Sequence, residues 1–144
     1  MDLLKIAHVP PVQVSPDDTV MHAIDVSAPE RVGAVAVVEG GRLVGVFTER
    51  DVMLKVVHGR LDPDRTRIGD VMTSPVVTVT PETPPRDVLQ LMLERHIRHM
   101  PVSRDGVAVE GMLSIRNVLQ FLVEDLQEDL NHVTAYFMAD GPGG

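Results

Sequence analysis

The chain has no cysteine and no tryptophan, and only one tyrosine and three phenylalanines among its 144 residues. Without cysteine there are no disulfides, thiol nucleophiles or thiolate-held metals, which fits a reducing compartment. With so few aromatics the core falls to Val, Leu, Ile, Met and Ala, and rings on which bases stack are nearly absent. Basic residues are also short: 13 Lys and Arg against 21 Asp and Glu give a net charge of −8. Sequence-independent binding to DNA or RNA needs clustered cations, so no nucleic-acid partner is expected, and an anionic ligand must be met by local basic residues. No apolar run reaches 18 residues, and the first 25 carry Asp2, Lys5, paired prolines and an acidic run. Neither a membrane span nor a secretory leader is expected, and the cytoplasm is the expected compartment. A nucleophile elbow, a P-loop, a dinucleotide-binding glycine fingerprint and a His-x-x-x-His pair are all missing, so no enzymatic activity is expected.

What the chain does have is a repeat. At an offset of 65, Leu3 matches Ile68, Ile6 matches Val71, Pro10 matches Pro75, Val12 matches Val77, Val14 matches Val79 and Pro16 matches Pro81. One inserted residue raises the offset to 66, which sets Gly45-Val46-Phe47-Thr48-Glu49-Arg50-Asp51 on Gly111-Met112-Leu113-Ser114-Ile115-Arg116-Asn117. The chain therefore reads as an α+β protein of two related units over 3–62 and 68–123. A long helix over 115–138 continues the second unit, and a flexible tail over 139–144 is expected from its Gly and Pro content.

Within each unit the order is strand, helix, strand, strand, helix. Val12 to Val14 and Val76 to Val79 are predicted short strands behind prolines. Ser15-Pro16-Asp17-Asp18 and Thr80-Pro81-Glu82-Thr83 offer hydroxyl caps, prolines and acids for a helix start. The helices carry Val20, Ala23, Ile24 and Ser27, and then Pro85, Val88, Leu89 and Met92, at i, i+3, i+4 and i+7. Hairpins follow, Ala34 to Phe47 turning at Gly40-Gly41, and Ile97 to Leu113 turning through Asp105-Gly106. Val52, Val56 and Val57 are the predicted buried stripe of the next helix. His58 to Arg67 connects the units.

The duplicated Gly-x-x-Thr/Ser-x-x-Asp/Asn signature, the repeated plan and the segment Ile97-Arg98-His99-Met100-Pro101-Val102 together resemble a stand-alone tandem pair of CBS domains, the Bateman module. The match covers about Leu3 to Val123. The resemblance implies a pseudo-twofold pair with two clefts for adenosine nucleotides or adenosyl compounds, dimerisation, and a regulatory role. Residues that would touch such a ligand are Thr48, Arg50 and Asp51 in the first signature and Ser114, Arg116 and Asn117 in the second. Backbone groups around Val12 and Ala34 in one site, and around Val76, Val77, Arg98, His99, Met100 and Pro101 in the other, would read the base. The chemistry suits this assignment. A hydroxyl at a helix start lies beside free N–H groups, and three residues on a carboxylate can accept from ribose hydroxyls. The two Arg can hold phosphates in a bidentate manner. Asn117 offers a weaker, uncharged acceptor than Asp51. The small residues of Arg31 to Val37 suggest extra room for a base.

Simpler roles remain open for each of these residues. Thr48 and Ser114 can be plain caps, worth about 1 kcal/mol, Asp51 and Asn117 first-turn residues, and Arg50 and Arg116 solvated charges. His96 and His99 leave a helix and enter a strand, so their side chains diverge and no metal site is expected. No cofactor is required. Leu119, Val123, Leu126, Leu130, Val133 and Phe137 recur at alternating spacings of four and three, a heptad-like seam. A homodimer packed along this seam is expected, the alternative being a helix folded back on its own module. The functional expectation is a ligand sensor that reports occupancy to an unidentified protein partner through dimer geometry. The alternative is a dimeric interaction scaffold with vestigial clefts.

Overall fold

The computed structural model of the protein describes residues 1–139. The expected tail lies outside the described residues, apart from Ala139, which ends the last helix. After a single 3-10 turn at Leu3–Lys5, the first unit comprises β1 (Gln13–Val14), α1 (Val20–Ser27), β2 (Ala34–Glu39), β3 (Arg42–Thr48) and α2 (Glu49–Asp51). The last of these runs on as π-helical turns over Val52–Val57. Its sheet has the order β1-β2-β3, with β1 parallel and β3 antiparallel to β2. The second unit comprises α3 (Ile68–Val71), α4 (Pro85–Arg95), β4 (His99–Val102), β5 (Gly111–Ser114) and α5 (Ile115–Ala139).

Three local expectations are corrected. Thr19, not Ser15, caps α1, accepting the His22 N–H at 3.1 Å. Ser15 and Asp18 instead close a local turn, the Ser15 N–H donating to Asp18 Oδ2 at 2.7 Å and the Asp17 N–H to Ser15 Oγ at 3.2 Å. The strand expected at Val76 to Val79 shrinks to one parallel bridge between Val79 and Val102. In the first unit the Ala36 N–H donates to the Val12 carbonyl at 2.9 Å. The aligned donor is Pro101, which has no N–H, so that ladder bond cannot form. Val57 is exposed while Val56 is buried, since neighbouring residues of a helix point to different faces.

The two cores exchange their leading segments. Leu3, fully buried, packs with Val79, Val88, Met92, Met100, Val102, Leu113 and Val118 of the second unit. Ile68 and Val71 pack with Val14, Val20, Ala23, Val35, Val37, Phe47 and Val56 of the first. Backbone bonds fix the exchange: Leu3 N–H to the Pro81 carbonyl at 2.8 Å, and Ile68 N–H to the Asp18 carbonyl at 2.8 Å. A third cluster of Ala34, Ala36, Val46 and Met112 joins the units.

The exchange also explains the signature glycines. The crossing segments pair with the last strands as Thr73–Val46 and His8–Met112 bridges, lying directly over Gly45 and Gly111. A Cβ on Gly45 would overlap the Met72 thioether, and one on Gly111 would come within 3.1 Å of both Ala7 Cβ and Leu4 Cδ2.

α5 leaves the body after Leu122. Val123, Leu126, Leu130, Val133 and Phe137 are 51 to 69% exposed, so the helix does not fold back on its own module.

Candidate functional site

At the end of β3, Thr48 and Asp51 form a reciprocal capping box. The Asp51 N–H donates to Thr48 Oγ1 at 3.2 Å, and the Thr48 N–H donates to Asp51 Oδ2 at 3.0 Å. Asp51 is only 6% exposed, and its carboxylate is engaged further. The Thr73 hydroxyl donates to Oδ1 at 3.0 Å, and Lys55 Nζ lies 3.0 Å from the same oxygen. Lys55 also donates to the Val71 carbonyl at 3.0 Å. Asp51 is therefore held by its cap, by Lys55 one turn on, and by the crossing segment from the second unit. Lys55 and Thr73 belong to this site although the sequence reading passed over them. The Asp-x-x-x-Lys spacing signals an i, i+4 pair, whereas nothing in the sequence brings Thr73 across.

The second signature solves the same problem with different chemistry. Ser114 Oγ accepts the Asn117 N–H at 3.1 Å and its hydroxyl bonds Asn117 Oδ1. The Asn117 amide then donates to the Ile6 carbonyl. In the repeat Ile6 matches Val71, and Phe121 matches Lys55. Lys55 caps the crossing carbonyl in the first unit; in the second the Asn117 amide does so itself, because a phenylalanine stands where the lysine would be. Asn117 is thus the uncharged half of an exchanged pair: Asp with Lys in one unit, Asn with Phe in the other. Beside it opens a cleft of about 350 Å³ lined by Lys5, Ile6, Asn117, Gln120, Phe121 and Glu124.

The units meet at Gly33. A Cβ there would lie 2.8 Å from Glu49 Oε1 and 3.1 Å from His99 Cε1. The small residues of Arg31 to Val37 do leave room: a cleft of about 310 Å³ is lined by Val32, Gly33, Ala34, Phe47, Thr48 and Glu49, and Glu49 and His99 close only the side where a Cβ on Gly33 would stand. Burial holds the His99 imidazole below its ordinary pKa near 6.5; Glu49 opposes that shift and Arg98 adds to it. Arg50 reaches across the boundary and donates to the His96 carbonyl at 3.3 Å, while Arg98 and Arg116 are exposed. First-signature and second-unit residues thus line one boundary.

Other expected contacts fall elsewhere. The Val12 carbonyl is occupied by the sheet bond from Ala36. Ala34 is buried between the units, and Val76 packs beside it. Val77 lies against the second core, Met100 is fully buried within that core, and Pro101 is buried, so the Met100 and Pro101 side chains serve packing. His96 ends α4 in the left-handed region at φ 54° while His99 opens β4. Among the described residues no cluster of three His, Cys, Asp or Glu side chains is placed to hold a metal.

Two repeated α+β units, with exchanged leading segments and a signature at each strand-to-helix junction, define a paired module of one family. The CBS domain family profile matches residues 4–58 and 68–124, and the chain belongs to that family as a tandem pair. It is 38% identical over 125 residues to the mitochondrial CBS domain-containing protein CBSX3 of Arabidopsis thaliana, covering 83% of this chain and 60% of that protein. It is 35% identical over 109 residues to the CBS domain-containing protein YhcV of Bacillus subtilis, covering 73% of this chain and 77% of that one. The chain spans about three fifths of the first two curated relatives it matches. Among solved structures, a protein with CBS domains from Burkholderia ambifaria superposes with a TM-score of 0.78 at 29% identity, covering 87% and 96% of the two chains. A CBS domain pair solved with 5′-methylthioadenosine and S-adenosyl-L-methionine superposes at 0.77 with 21% identity, covering 87% and 98%; it shares the fold. No helix among the described residues is long and apolar enough to cross a membrane.

Proposed function

We infer that this CBS pair is a non-catalytic regulatory module that binds an adenosine-type nucleotide, of the AMP, ADP, ATP or S-adenosylmethionine class, and transmits occupancy through the geometry of a homodimer to a protein partner. The observation that carries this reading is the boundary at Gly33. There Glu49 and Arg50 of the first signature meet His99 and the α4 end of the second unit. A ligand seated at this boundary touches both units, so its binding energy acts on their relative placement. Arg50 and Arg98 supply local cations for phosphate in an acidic chain, and Thr48 and Ser114 supply hydroxyls. The adenosyl ligands of the fold neighbour support the ligand class. We keep the cytoplasm as the proposed compartment.

A thermal-melt screen against AMP, ADP, ATP, S-adenosylmethionine and NADH at fixed protein concentration tests the reading. A ligand at a hundred times its dissociation constant adds about 2.7 kcal/mol, a rise of several degrees. Arg50→Ala with Arg98→Ala should reduce the shift given by a phosphate-bearing ligand. One observation favours the second reading, a dimeric scaffold with vestigial clefts: Asp51 is already satisfied from within the protein. No shift with any ligand, in protein free of co-purified nucleotide, selects the scaffold.

A further inference from the structure

We propose that α5, from Leu119 at the edge of the body to Met138, pairs in parallel and in register with α5 of a second copy of this chain. This deepens the dimer element of the reading above by naming the surface, the partner and the orientation. The seam assigns Leu119, Leu126 and Val133 to heptad position d, and Val123, Leu130 and Phe137 to position a. Every one of these side chains is 43 to 69% exposed in the single chain, along a helix that runs about 30 Å over these twenty residues.

What names the occupant is the charge on the flanks of the seam. The e positions are Gln120, Gln127 and Thr134, and the g positions are Leu122, Asp129 and Tyr136. The acids Glu124, Asp125 and Glu128 sit at b, c and f, facing away. Gln120 and Gln127 are themselves drawn outward, donating to Glu124 at 3.2 Å and to Asn131 at 3.0 Å. In an acidic chain, the stripe that contacts a neighbour has thus been kept almost neutral. Such flanks carry no charge code for a different partner helix, and they do not repel a copy of themselves.

The one flanking acid sets the orientation. Parallel packing puts Asp129 beside Thr134 of the other copy. Antiparallel packing with every apolar layer matched puts Asp129 opposite its own equivalent, a like-charge contact at the middle of the seam. Parallel pairing also sets both bodies at the same end of the coil, where a change between the units of one copy reaches the other.

The lack of cysteine makes the test clean. Leu126→Cys places one thiol at a d layer, and Glu128→Cys places one on the outer face. In the full chain, without nucleotide, mild oxidation should link Leu126→Cys into a covalent dimer at least tenfold faster than Glu128→Cys. Separately, Leu126→Asp with Leu130→Asp should halve the native mass by sedimentation equilibrium, with the melting of the bodies confirming that they remain folded. Equal linking rates, linking only when Leu126→Cys is mixed with Leu130→Cys, or an unchanged mass in the double variant would each overturn the proposal. A native chain that is monomeric would also overturn it and leave the seam to another protein. None of these outcomes depends on nucleotide, so failure here and failure of the ligand screen are separate results.

Discussion

The exchanged pairs, Asp51 with Lys55 and Asn117 with Phe121, make a quantitative prediction. Lys55→Met removes an ammonium that lies 3.0 Å from Asp51 Oδ1 and 3.0 Å from the Val71 carbonyl. A fully exposed pair is worth about 0 to 1 kcal/mol, and breaking a fully buried one costs about 3 to 5 kcal/mol. Asp51 is nearly buried but the Lys55 side chain is 42% exposed, so solvent screens the pair and the cost should be about 2 kcal/mol. Asp51→Asn keeps one acceptor for the Thr48 N–H but turns an amide toward a lysine that is already a donor, again costing about 2 kcal/mol. Combined, the two changes recreate the second unit's solution, in which the Asn amide donates to the crossing carbonyl as Asn117 does to Ile6. The double variant should therefore lose well under the sum, with a coupling of about 1 to 2 kcal/mol. At about 3 °C per kcal/mol for a chain of this size, each single variant should melt about 6 °C lower and the double variant about 6 to 9 °C lower. Circular dichroism melts at one protein concentration read this directly. Additivity within about 0.3 kcal/mol would refute the exchanged-pair argument.

The remaining predictions concern other parts of the fold. His99 has its pKa lowered chiefly by burial, so between the folded value and about 6.5 the unfolded chain holds more protons and stability falls as pH falls; His99→Gln should flatten this slope, as urea titrations across that range would show. Gly45→Ala forces a methyl into the crossing Met72–Thr73 segment and should cost about 1 to 3 kcal/mol, and Gly111→Ala should do the same under Ala7, whereas an alanine at either that melts like the native chain would contradict the close approach. Leu3→Ala empties a site in the second core and should cost about 2 to 5 kcal/mol, with hydrogen exchange accelerating more over Val88 to Val118 than over Val20 to Val56.

Much of this molecule was legible in the residues. α1 carries the apolar spacing from Val20 to Ser27, although its cap is Thr19 rather than Ser15, the first hairpin turns at Gly40-Gly41, and Thr48 caps the helix that follows. These features depend on neighbours within four or five positions, and such interactions are written locally. The strand predicted at Val76 to Val79 is reduced to one bridge for a long-range reason. Its own valines favour a strand, but the bond it needs was to come from Pro101, which lies outside any local window.

The candidate site was less legible than the fold. The signature shows a hydroxyl and an acid at capping distance, and the structure places them so. It does not show that Thr73 completes the coordination of Asp51, or that His99 comes up against Gly33. Those contacts join residues 22 and 66 positions apart; the first forms because a leading segment crosses over, the second because the two units pack together.

The sequence by itself determined the repeat, the kind of most elements and the amphipathic seam of the last helix, because periodicity and capping act through near neighbours. Only the tertiary structure decided that Leu3 belongs to the second core and Ile68 to the first, that the signature glycines lie beneath the crossing chains, and that the clefts carry different chemistry. Apolar patterning says that a side chain will leave water, but burial has no direction, and which core receives it is settled by the packing of the whole chain.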